Sequence, residues 1–362
     1  MKKAKLFSFG AVAMASALLL GACGNNSGGT TGTDASEGAG SEKPAATIAL
    51  ITDTGGVDDR SFNQSAWEGF QAWGEANNLE EGNNGYRYFQ SENESDYIPN
   101  IDQALSAGYN TIFGIGYKLQ PAIAEQAELN PDVNFVIVDD VVDLPNVASA
   151  TFKDHESSYL AGVAAAHTTQ TDRVGFIGGV KGVVIDRFEA GFVAGVADAA
   201  EALGKEIHVE VQYAGDFSAP DRGRSIAQGM YAQGADIIFH ASGGTGNGLF
   251  QEAKARNEAG GDKVWVIGVD RDQSDEGGYN GDSENFTLTS ALKEVGNVSQ
   301  DLAQKALEGE FPGGSHEVYG LAEEGVGLTD GQLSEEALSA VEEARAQIIA
   351  GEIEVPEVPE ED

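Results

Sequence analysis

The sequence predicts an α/β protein built from doubly wound parallel sheets, and two observations carry this prediction. Continuous apolar runs rich in Val, Ile and Phe recur along the chain, as is typical of buried parallel strands: TIALIT, TIFGIG, NFVIVDD, VGFIGG, ADIIFHAS and VWVIGVD. Between them lie longer segments with apolar residues at helical spacing, such as QSAWEGFQAWGEAN, SSYLAGVAAAHTT and GNGLFQEAKARNEA. This alternation predicts open parallel sheets with helices on both faces.

Residues 1–22 have the features of a secretory signal peptide. Three lysines precede an apolar run over residues 6–20, which is too short to span a membrane and is followed by small residues. Cys23, the only cysteine of the chain, stands in the context Leu-Gly-Ala-Cys, which resembles the bacterial lipobox. The resemblance implies cleavage before Cys23 and lipid attachment to its sulfur. The alternative is an ordinary signal peptide with an incidental cysteine.

Residues 23–45 predict a flexible tether, because they are rich in Gly, Ser and Thr and almost free of large apolar residues. A lipid anchor and a tether would hold the folded domain at the outer face of the membrane without embedding it. At the other end of the chain, Ser334 is the expected N-cap of a last helix. Residues 356–362 are expected to form a frayed acidic tail.

The charge of the chain excludes some classes of partner. Acids outnumber bases 59 to 21, which gives a formal net charge of -38 at pH 7. Such a surface repels nucleic acid, and it disfavours anionic lipids and phosphorylated ligands except at a local basic site. The charge provides solubility; surroundings of high salt or high pH are the other explanation.

The sequence carries no motif that predicts catalysis. His-Glu-x-x-His, Cys-x-x-Cys, Gly-x-Ser-x-Gly and EF-hand spacings are absent, and the five histidines are scattered. We expect His240 to be a packed or capping residue and either Asp154 or Ser157 to cap a helix. We therefore predict no catalytic residues, no cofactor and no metal site.

The stretch TDTGGVDDRSFNQSAWEGF follows the first apolar run and predicts a binding site for a neutral ligand. It has the strand-glycine-helix layout of a phosphate loop but lacks the lysine, and its aspartates would repel an anion. Asp53 ends the strand, and we expect Asp58 and Asp59 to be loop and cap residues. An ionised Asp53 accepts from hydroxyls, Phe62 offers a flat apolar face, and Asn63 suits the edge of a purine. This set fits a nucleoside, with a sugar as its nearest competitor.

Two segments of the chain share a plan that suggests two similar lobes. ALITDTGGVDDRSFNQSAWEGFQA and GFIGGVKGVVIDRFEAGFVAGVADA each contain a strand, a Gly-Gly pair, Asp-Arg, a Phe and a helix. One lobe would begin near Ala46 and the second near Thr151, with a ligand cleft between them. Chance similarity of two strand-helix units is the alternative.

These motifs together resemble the basic membrane protein family, within it the purine nucleoside receptor lipoproteins of bacterial ABC importers. The resemblance rests on the lipobox, the stretch quoted above, NVASATFKDHESSYLAGVAA, VGFIGGVKGVVIDRFEAGFVAG, ASGGTGNGLFQEA, VWVIGVDRDQSD and TSALKEVG. It covers residues 23 to about 328 in the same order. The chain is strongly acidic, so the word "basic" does not describe it.

The resemblance implies a type I periplasmic-binding-protein fold with two α/β lobes that close on a ligand. It places residues 46–150 and about 272–305 in lobe 1, and residues 151–271 and about 306–355 in lobe 2. The implied function is that of a monomeric, lipid-anchored receptor on the extracellular face. It would deliver purine nucleosides of the inosine, guanosine and adenosine class to ABC permease subunits.

The family also implies which residues contact the base. Phe62 should stack on the base, and Asn63 should hydrogen-bond its edge. Asp139 should contact the base from the same lobe. Phe217 is the expected second stacking face, with Phe188 as the alternative.

The remaining implied contacts concern the ribose. Asp53, Asp270 and Lys293 should bind ribose hydroxyls, and Glu189 is expected to join them. Lys293 should pair with Asp270 or Asp53. Gly244 should allow the backbone to approach the ligand closely. Two alternatives stay open: a sugar or autoinducer receptor of the same fold, and a nucleoside-processing enzyme.

Overall fold

The computed structural model describes residues 45–360. The predicted signal peptide, the lipidation at Cys23 and the tether up to residue 44 lie outside the described residues, as do the last two residues of the chain. Within residues 45–360, no helix is both long enough and apolar enough to cross a membrane.

The described residues form two six-stranded sheets and one short hairpin. In chain order the strands are β1 (Ile48–Thr52), β2 (Tyr86–Phe89), β3 (Thr111–Ile115), β4 (Asn134–Val138), β5 (Val147–Phe152), β6 (Arg173–Gly178), β7 (His208–Tyr213), β8 (Ile237–Ala241), β9 (Trp265–Asp270), β10 (Gly278–Tyr279), β11 (Glu284–Asn285), β12 (Thr287–Lys293), β13 (His316–Tyr319) and β14 (Val326–Leu328). All six apolar runs form strands, as predicted.

Helices connect and cover these strands. They are α1 (Phe62–Asn77), α2 (Tyr97–Ser106), α3 (Gln120–Leu129), α4 (Asp154–Thr168), α5 (Val183–Leu203), α6 (Pro220–Ala232), α7 (Gly246–Ala259), α8 (Val295–Glu308) and α9 (Glu335–Ile349). The three predicted helical segments lie within α1, α4 and α7, apart from the last residue of the second. Ser334 is the N-cap of α9, and its hydroxyl accepts from the Ala337 N–H at 3.1 Å.

The two sheets have equivalent strand orders, so the prediction of two α/β lobes is confirmed. The first sheet runs β13-β5-β4-β3-β1-β2 and the second β14-β12-β9-β8-β6-β7. All pairs are parallel except β12 and β14. The two similar segments occupy equivalent places, since each begins with the strand second from one edge of its sheet and continues into a helix. Phe62 begins α1 after β1, and Phe188 lies in the first turns of α5 after β6.

The expected lobe boundaries are wrong in one segment on each side. We expected residues 272–305 in lobe 1, but β12 pairs with β9 in the second sheet. Only α8 of that segment packs on the first lobe, against α1. Residues 306–355 were expected in lobe 2, but β13 pairs with β5 in the first sheet. The apolar pattern predicts a strand in each case but does not specify the sheet that it joins.

The chain crosses between the lobes at three points. It leaves the first sheet after β5 to enter α4, which packs on α5, α9 and the second sheet. It returns after β12 to enter α8, and it crosses again between β13 and β14. Lys293 ends β12 and Asp154 begins α4, so both side chains stand at crossovers.

Candidate functional site

A cavity lies between the lobes, at the carboxyl ends of the central strands of both sheets. Open α/β sheets bind ligands at this edge. Seven of the nine predicted site residues line the cavity: Asp53, Phe62, Asn63, Asp139, Phe217, Asp270 and Lys293.

Glu189 and Gly244 are not among the cavity-lining residues. Glu189 accepts a hydrogen bond from the Tyr213 hydroxyl and borders a separate groove between α5 and the C-terminal tail. It follows Phe188 by one residue on a helix, which turns its side chain away from the cavity. Gly243 lines the cavity in place of Gly244, with φ +53°, in the left-handed region that favours glycine.

One group of lining residues comes from the loop after β1 and the start of α1. The Asn63 Nδ2 group donates to Asp53 Oδ1 at 2.9 Å and to Asp59 Oδ2 at 3.0 Å. Asp53 Oδ1 also accepts from the Gly55 N–H at 3.2 Å. Burial raises the pKa of Asp53 to about 6, and the Asn63 amide partly opposes this rise. We call Asp53 and Asn63 the acceptor end.

Asp59 is the cap that we expected, and it also lines the cavity. Its carboxylate accepts from the backbone N–H groups of Ser61, Asn63 and Gln64 at 2.9, 2.9 and 3.1 Å. These donors belong to the first turn of α1, where backbone N–H groups have no partner within the helix. Asp58 is an exposed loop residue. The cap therefore fixes both Phe62 and Asn63 relative to the cavity.

A second group of lining residues is centred on Lys293, whose partners differ from those we expected. Its Nζ lies 2.8 Å from Asp139 Oδ2 and 3.1 Å from Asp154 Oδ1. Burial alone would lower the pKa of Lys293, but the carboxylates of Asp139, Asp154 and Asp270 outweigh it and raise the pKa. We call Lys293, Asp139 and Asp270 the lysine end.

Asp154 does not act as a helix cap. Its side chain is fully buried, and neither carboxylate oxygen accepts a hydrogen bond from the described residues. Burial raises its pKa to about 6, and the nearby Lys293 opposes the rise. The ion pair with Lys293 joins two of the three crossovers. The local sequence predicted a cap at this position, because a local pattern cannot show that Asp154 pairs with the distant Lys293.

Asp139 and Asp270 occupy equivalent positions in the two lobes. Each follows or ends the fourth strand of its lobe, and their φ angles are +71° and +68°. Asp tolerates this left-handed conformation better than most residues. Asp270 accepts from the Ser61 hydroxyl, and burial raises its pKa to about 7 despite the nearby Lys293.

Aromatic rings from both lobes face the cavity. Phe62 comes from lobe 1 and Phe217 from the loop after β7 in lobe 2, and both are half-buried. The Phe217 ring lies against Gly179, where a Cβ atom would stand 2.2 Å from the ring. Phe188 also lines the cavity, but it is buried and packs on Phe239 with ring centroids 6.3 Å apart. The Phe217 ring is therefore more exposed than the Phe188 ring.

Several lining residues were missing from the prediction, although a signal for them existed. Gly116 and Tyr117 follow β3, Ser242 follows β8, and Val269 precedes the last residue of β9. Ligands bind beyond the carboxyl ends of parallel strands, and this rule applies to these residues as it does to Asp53. His240 is fully buried between Ser242 and Gln273, as expected for a packed residue.

The lobes also contact each other through residues that do not line the cavity. The Gln273 side chain of lobe 2 donates to the Arg60 carbonyl of lobe 1 at 2.8 Å. Arg271 of lobe 2 lies 3.4 Å from Glu68 of lobe 1. The arrangement supports enclosure of a ligand. Among residues 45–360, no group of three or more His, Cys, Asp or Glu is placed to hold a metal ion.

Comparison with known proteins decides the family. Residues 46–358 match the family of PnrA-like ABC transporter substrate-binding proteins. The chain belongs to this family. It is therefore a substrate-binding protein of ABC transporters and not an enzyme, and the expected nucleoside-processing alternative is wrong. The fold is that of the type I periplasmic binding proteins, as the sequence resemblance implied.

Relatives of this PnrA-like protein extend over nearly its whole length. It is 50% identical to the CD4+ T-cell-stimulating antigen of Listeria monocytogenes, over 96% of each chain. It is 48% identical to the ABC transporter nucleoside-binding protein BmpA of Lactococcus lactis, over 98% of this chain and 99% of that one. The crystal structure of an ABC transporter solute-binding protein from Aeropyrum pernix K1 superimposes with a TM-score of 0.77. The match has 24% identity and covers 87% of this chain and 94% of that one.

Proposed function

We propose that this protein binds purine nucleosides in the interlobe cavity and delivers them to an ABC permease. The observation that carries the proposal is the set of groups that line the cavity. Phe62 and Phe217 line it from opposite lobes, and so do two separate hydrogen-bonded groups, the acceptor end and the lysine end. The nucleoside-binding name of the Lactococcus lactis relative supports the same ligand class.

The hydrogen bonds of the site favour a different placement of the nucleoside from the one that the sequence suggested. Asp53 shares a hydrogen bond with Asn63, whereas Asp139 contacts Lys293. In our proposal Asp53 and Asn63 therefore bind the edge of the base, and Asp139, Asp270 and Lys293 bind the ribose. A base between two phenyl rings gains about 1–3 kcal/mol per ring, as in single-stranded nucleic acid recognition.

Electrostatics favour a nucleoside over a nucleotide. Asp53, Asp59, Asp139 and Asp270 line the cavity, with Lys293 as its lining cation. An added phosphate would be repelled by these carboxylates in a site of low dielectric constant. Hydroxyl and N–H groups of a neutral nucleoside instead provide the donors that carboxylates require.

The location of the protein is part of the proposal. The lipobox-like sequence at Cys23 and the tether of residues 23–45 support a lipid-anchored receptor on the extracellular face. Closure of the two lobes over a nucleoside would create the surface that the permease subunits recognise.

Isothermal titration calorimetry with purine nucleosides, free bases and pentoses tests this function. We expect purine nucleosides to bind with submicromolar affinity and Phe62→Ala to weaken them at least about tenfold, because one stacking face is lost. Phe311→Ala, at a half-buried phenylalanine outside the cavity, is the matched control. Tighter binding of a free pentose than of any purine nucleoside would instead support a sugar receptor.

A further inference from the structure

The orientation of the Asn63 side chain is fixed by its neighbours. Its Nδ2 lies 2.9 Å from Asp53 Oδ1 and 3.0 Å from Asp59 Oδ2, and carboxylate oxygens only accept when they are ionised. The nitrogen of the amide must therefore face them. Its Oδ1 is buried and has no hydrogen-bond partner among the described residues. Asn63 can offer a ligand only an acceptor.

Asp53, next to Asn63, also offers a ligand an acceptor. Its Oδ1 is occupied by the Asn63 amide and the Gly55 N–H. Its Oδ2 accepts no hydrogen bond within residues 45–360 and lies near Gly116, at the cavity wall. The acceptor end thus presents two acceptors that have no fixed donor of their own.

Purine bases differ in the donors and acceptors that they present to these two protein acceptors. The pairing edge of guanine carries two adjacent donors, N1–H and the 2-amino group, and that of hypoxanthine carries N1–H alone. In adenine, the 6-amino group is a donor but the adjacent N1 is an acceptor, so one of the two protein acceptors would face N1. A buried acceptor left without a donor is strongly penalised, and a site built to bind an N–H group rejects an analogue that lacks it.

We propose that Asp53 and Asn63 make this receptor selective for 6-oxopurine nucleosides, with guanosine bound more tightly than inosine and inosine more tightly than adenosine. The proposal rests on the proposed function, since it assumes that the base lies at the acceptor end. At pH 8 we expect adenosine to bind at least about tenfold more weakly than guanosine.

The selectivity should depend on pH, and the protonation of Asp53 determines the direction of the change. Burial raises the pKa of Asp53 to about 6, so that the carboxyl carries a proton at pH 5 and becomes a donor. It can then donate to N1 of adenine, and it offers one acceptor fewer to guanine. The ratio of the adenosine Kd to the guanosine Kd should therefore fall between pH 8 and pH 5.

Four other charged or titratable groups lie near Asp53. Asp59 lies in the same loop, Lys118 follows β3, and the hydroxyls of Tyr97 and Tyr117 come from α2 and the turn after β3. Burial raises the pKa of Tyr117 to about 12, so its hydroxyl keeps its proton and can either donate or accept. Groups that titrate at the lysine end contact the ribose, which these nucleosides share, and their effect cancels in the ratio.

Titration calorimetry of the full protein with guanosine, inosine and adenosine at pH 8 and pH 5 tests the proposal. Asp53→Asn should reduce the pH 8 preference at least about threefold and remove its dependence on pH, because an amide offers both a donor and an acceptor. Asp301→Asn, on the exposed face of α8, is the control and should retain both properties.

The outcomes separate the two proposals. Equal affinities for the three nucleosides at pH 8 would overturn the selectivity and leave nucleoside binding intact. A preference for guanosine that does not change with pH in the wild-type protein would overturn the role of the Asp53 carboxyl, even if the variant did not fold. Absence of binding by all three nucleosides would contradict the proposed function itself.

Discussion

The two lobes have equivalent strand orders, but their equivalent strand ends carry different chemistry. The second strand from the edge is β1 in lobe 1, which ends at Thr52 and is followed by Asp53, whereas in lobe 2 β6 ends at Gly178 and is followed by Gly179. Gly179 leaves room for the Phe217 ring. At these equivalent strand ends, lobe 1 thus supplies the buried acceptor Asp53, whereas lobe 2 supplies the Phe217 ring.

At the crossovers the lobes exchange these roles, because lobe 2 supplies the polar residue and lobe 1 supplies the aromatic ring. The strand β12 of lobe 2 ends at Lys293, whereas its counterpart β5 in lobe 1 ends at Phe152. Lys293 lies 5.0 Å from the Phe152 ring centroid and pairs with Asp139 and Asp154. The equivalent strand orders of the two lobes therefore determine where the side chains meet. The residue type at each strand end determines what that side chain binds. Changes at equivalent positions should consequently have unequal effects.

The largest effect is expected from Lys293→Met. This change leaves Asp139 and Asp154 buried without their cation, and breaking a buried ion pair costs about 3–5 kcal/mol. We expect a loss of that size in the free energy of unfolding, measured by urea denaturation at pH 8, together with at least about 100-fold weaker nucleoside binding.

Lys305→Met provides the matched control for this loss. Lys305 pairs with Asp301 on α8 at 2.7 Å, and both side chains are largely exposed. Exposed pairs contribute about 0–1 kcal/mol, so this variant should unfold and bind almost as the wild type does. Equal unfolding midpoints for the two variants would show that Lys293 does not hold the crossovers together.

Smaller effects on the melting temperature, opposite in sign, are expected at the equivalent residues Asp139 and Asp270. At pH 8, Asp139→Asn should lower the melting temperature of the ligand-free protein, because it removes the closest partner of Lys293. Asp270→Asn should raise it, since burial makes ionisation of Asp270 unfavourable. Asn tolerates the positive φ of both positions. Each kcal/mol should shift the melting temperature by about 2–4 °C in differential scanning calorimetry.

The dependence of this difference on pH follows from the pKa of Asp270. Burial raises that pKa from 3.8 to about 7, so the unfavourable ionisation is absent below about pH 4 and complete above about pH 7. The advantage of Asp270→Asn should grow through this window and vanish near pH 4. Asp282→Asn, at an exposed residue with φ +61°, controls for the backbone conformation. An advantage that persists at pH 4 would contradict this explanation.

The sequence predicted the fold well, because the fold depends on local patterns. Continuous apolar runs predicted the central strands, and three residues chosen from one local stretch, Asp53, Phe62 and Asn63, all line the cavity. The partner of Lys293 could not be predicted, since Asp154 and Asp139 reach it only through crossovers between the lobes. The direction of Glu189 depends on where α5 begins, and a shift of one residue turns a helical side chain by about 100°.

The smallest effect is expected at the boundary between the lobes, at Lys118. This lobe 1 residue places its Nζ 5.4 Å from the centroid of the Phe217 ring in lobe 2, and it also lowers the pKa of Asp53. A cation near an aromatic ring contributes about 0.5–1 kcal/mol at a partly exposed site. Lys118→Met should therefore weaken guanosine binding by about two- to fivefold in titration calorimetry.

Lys263→Met separates this contribution from a general effect of removing a lysine. Lys263 lies 3.7 Å from the centroid of the Trp265 ring, outside the interlobe cavity, and its loss should leave guanosine affinity unchanged. Because Lys118 stabilises the ionised form of Asp53, Lys118→Met should also move the change in the adenosine-to-guanosine ratio to higher pH. A loss above about 50-fold would instead indicate that Lys118 contacts the nucleoside directly, so that lobe 1 supplies a cation to the base as well as acceptors.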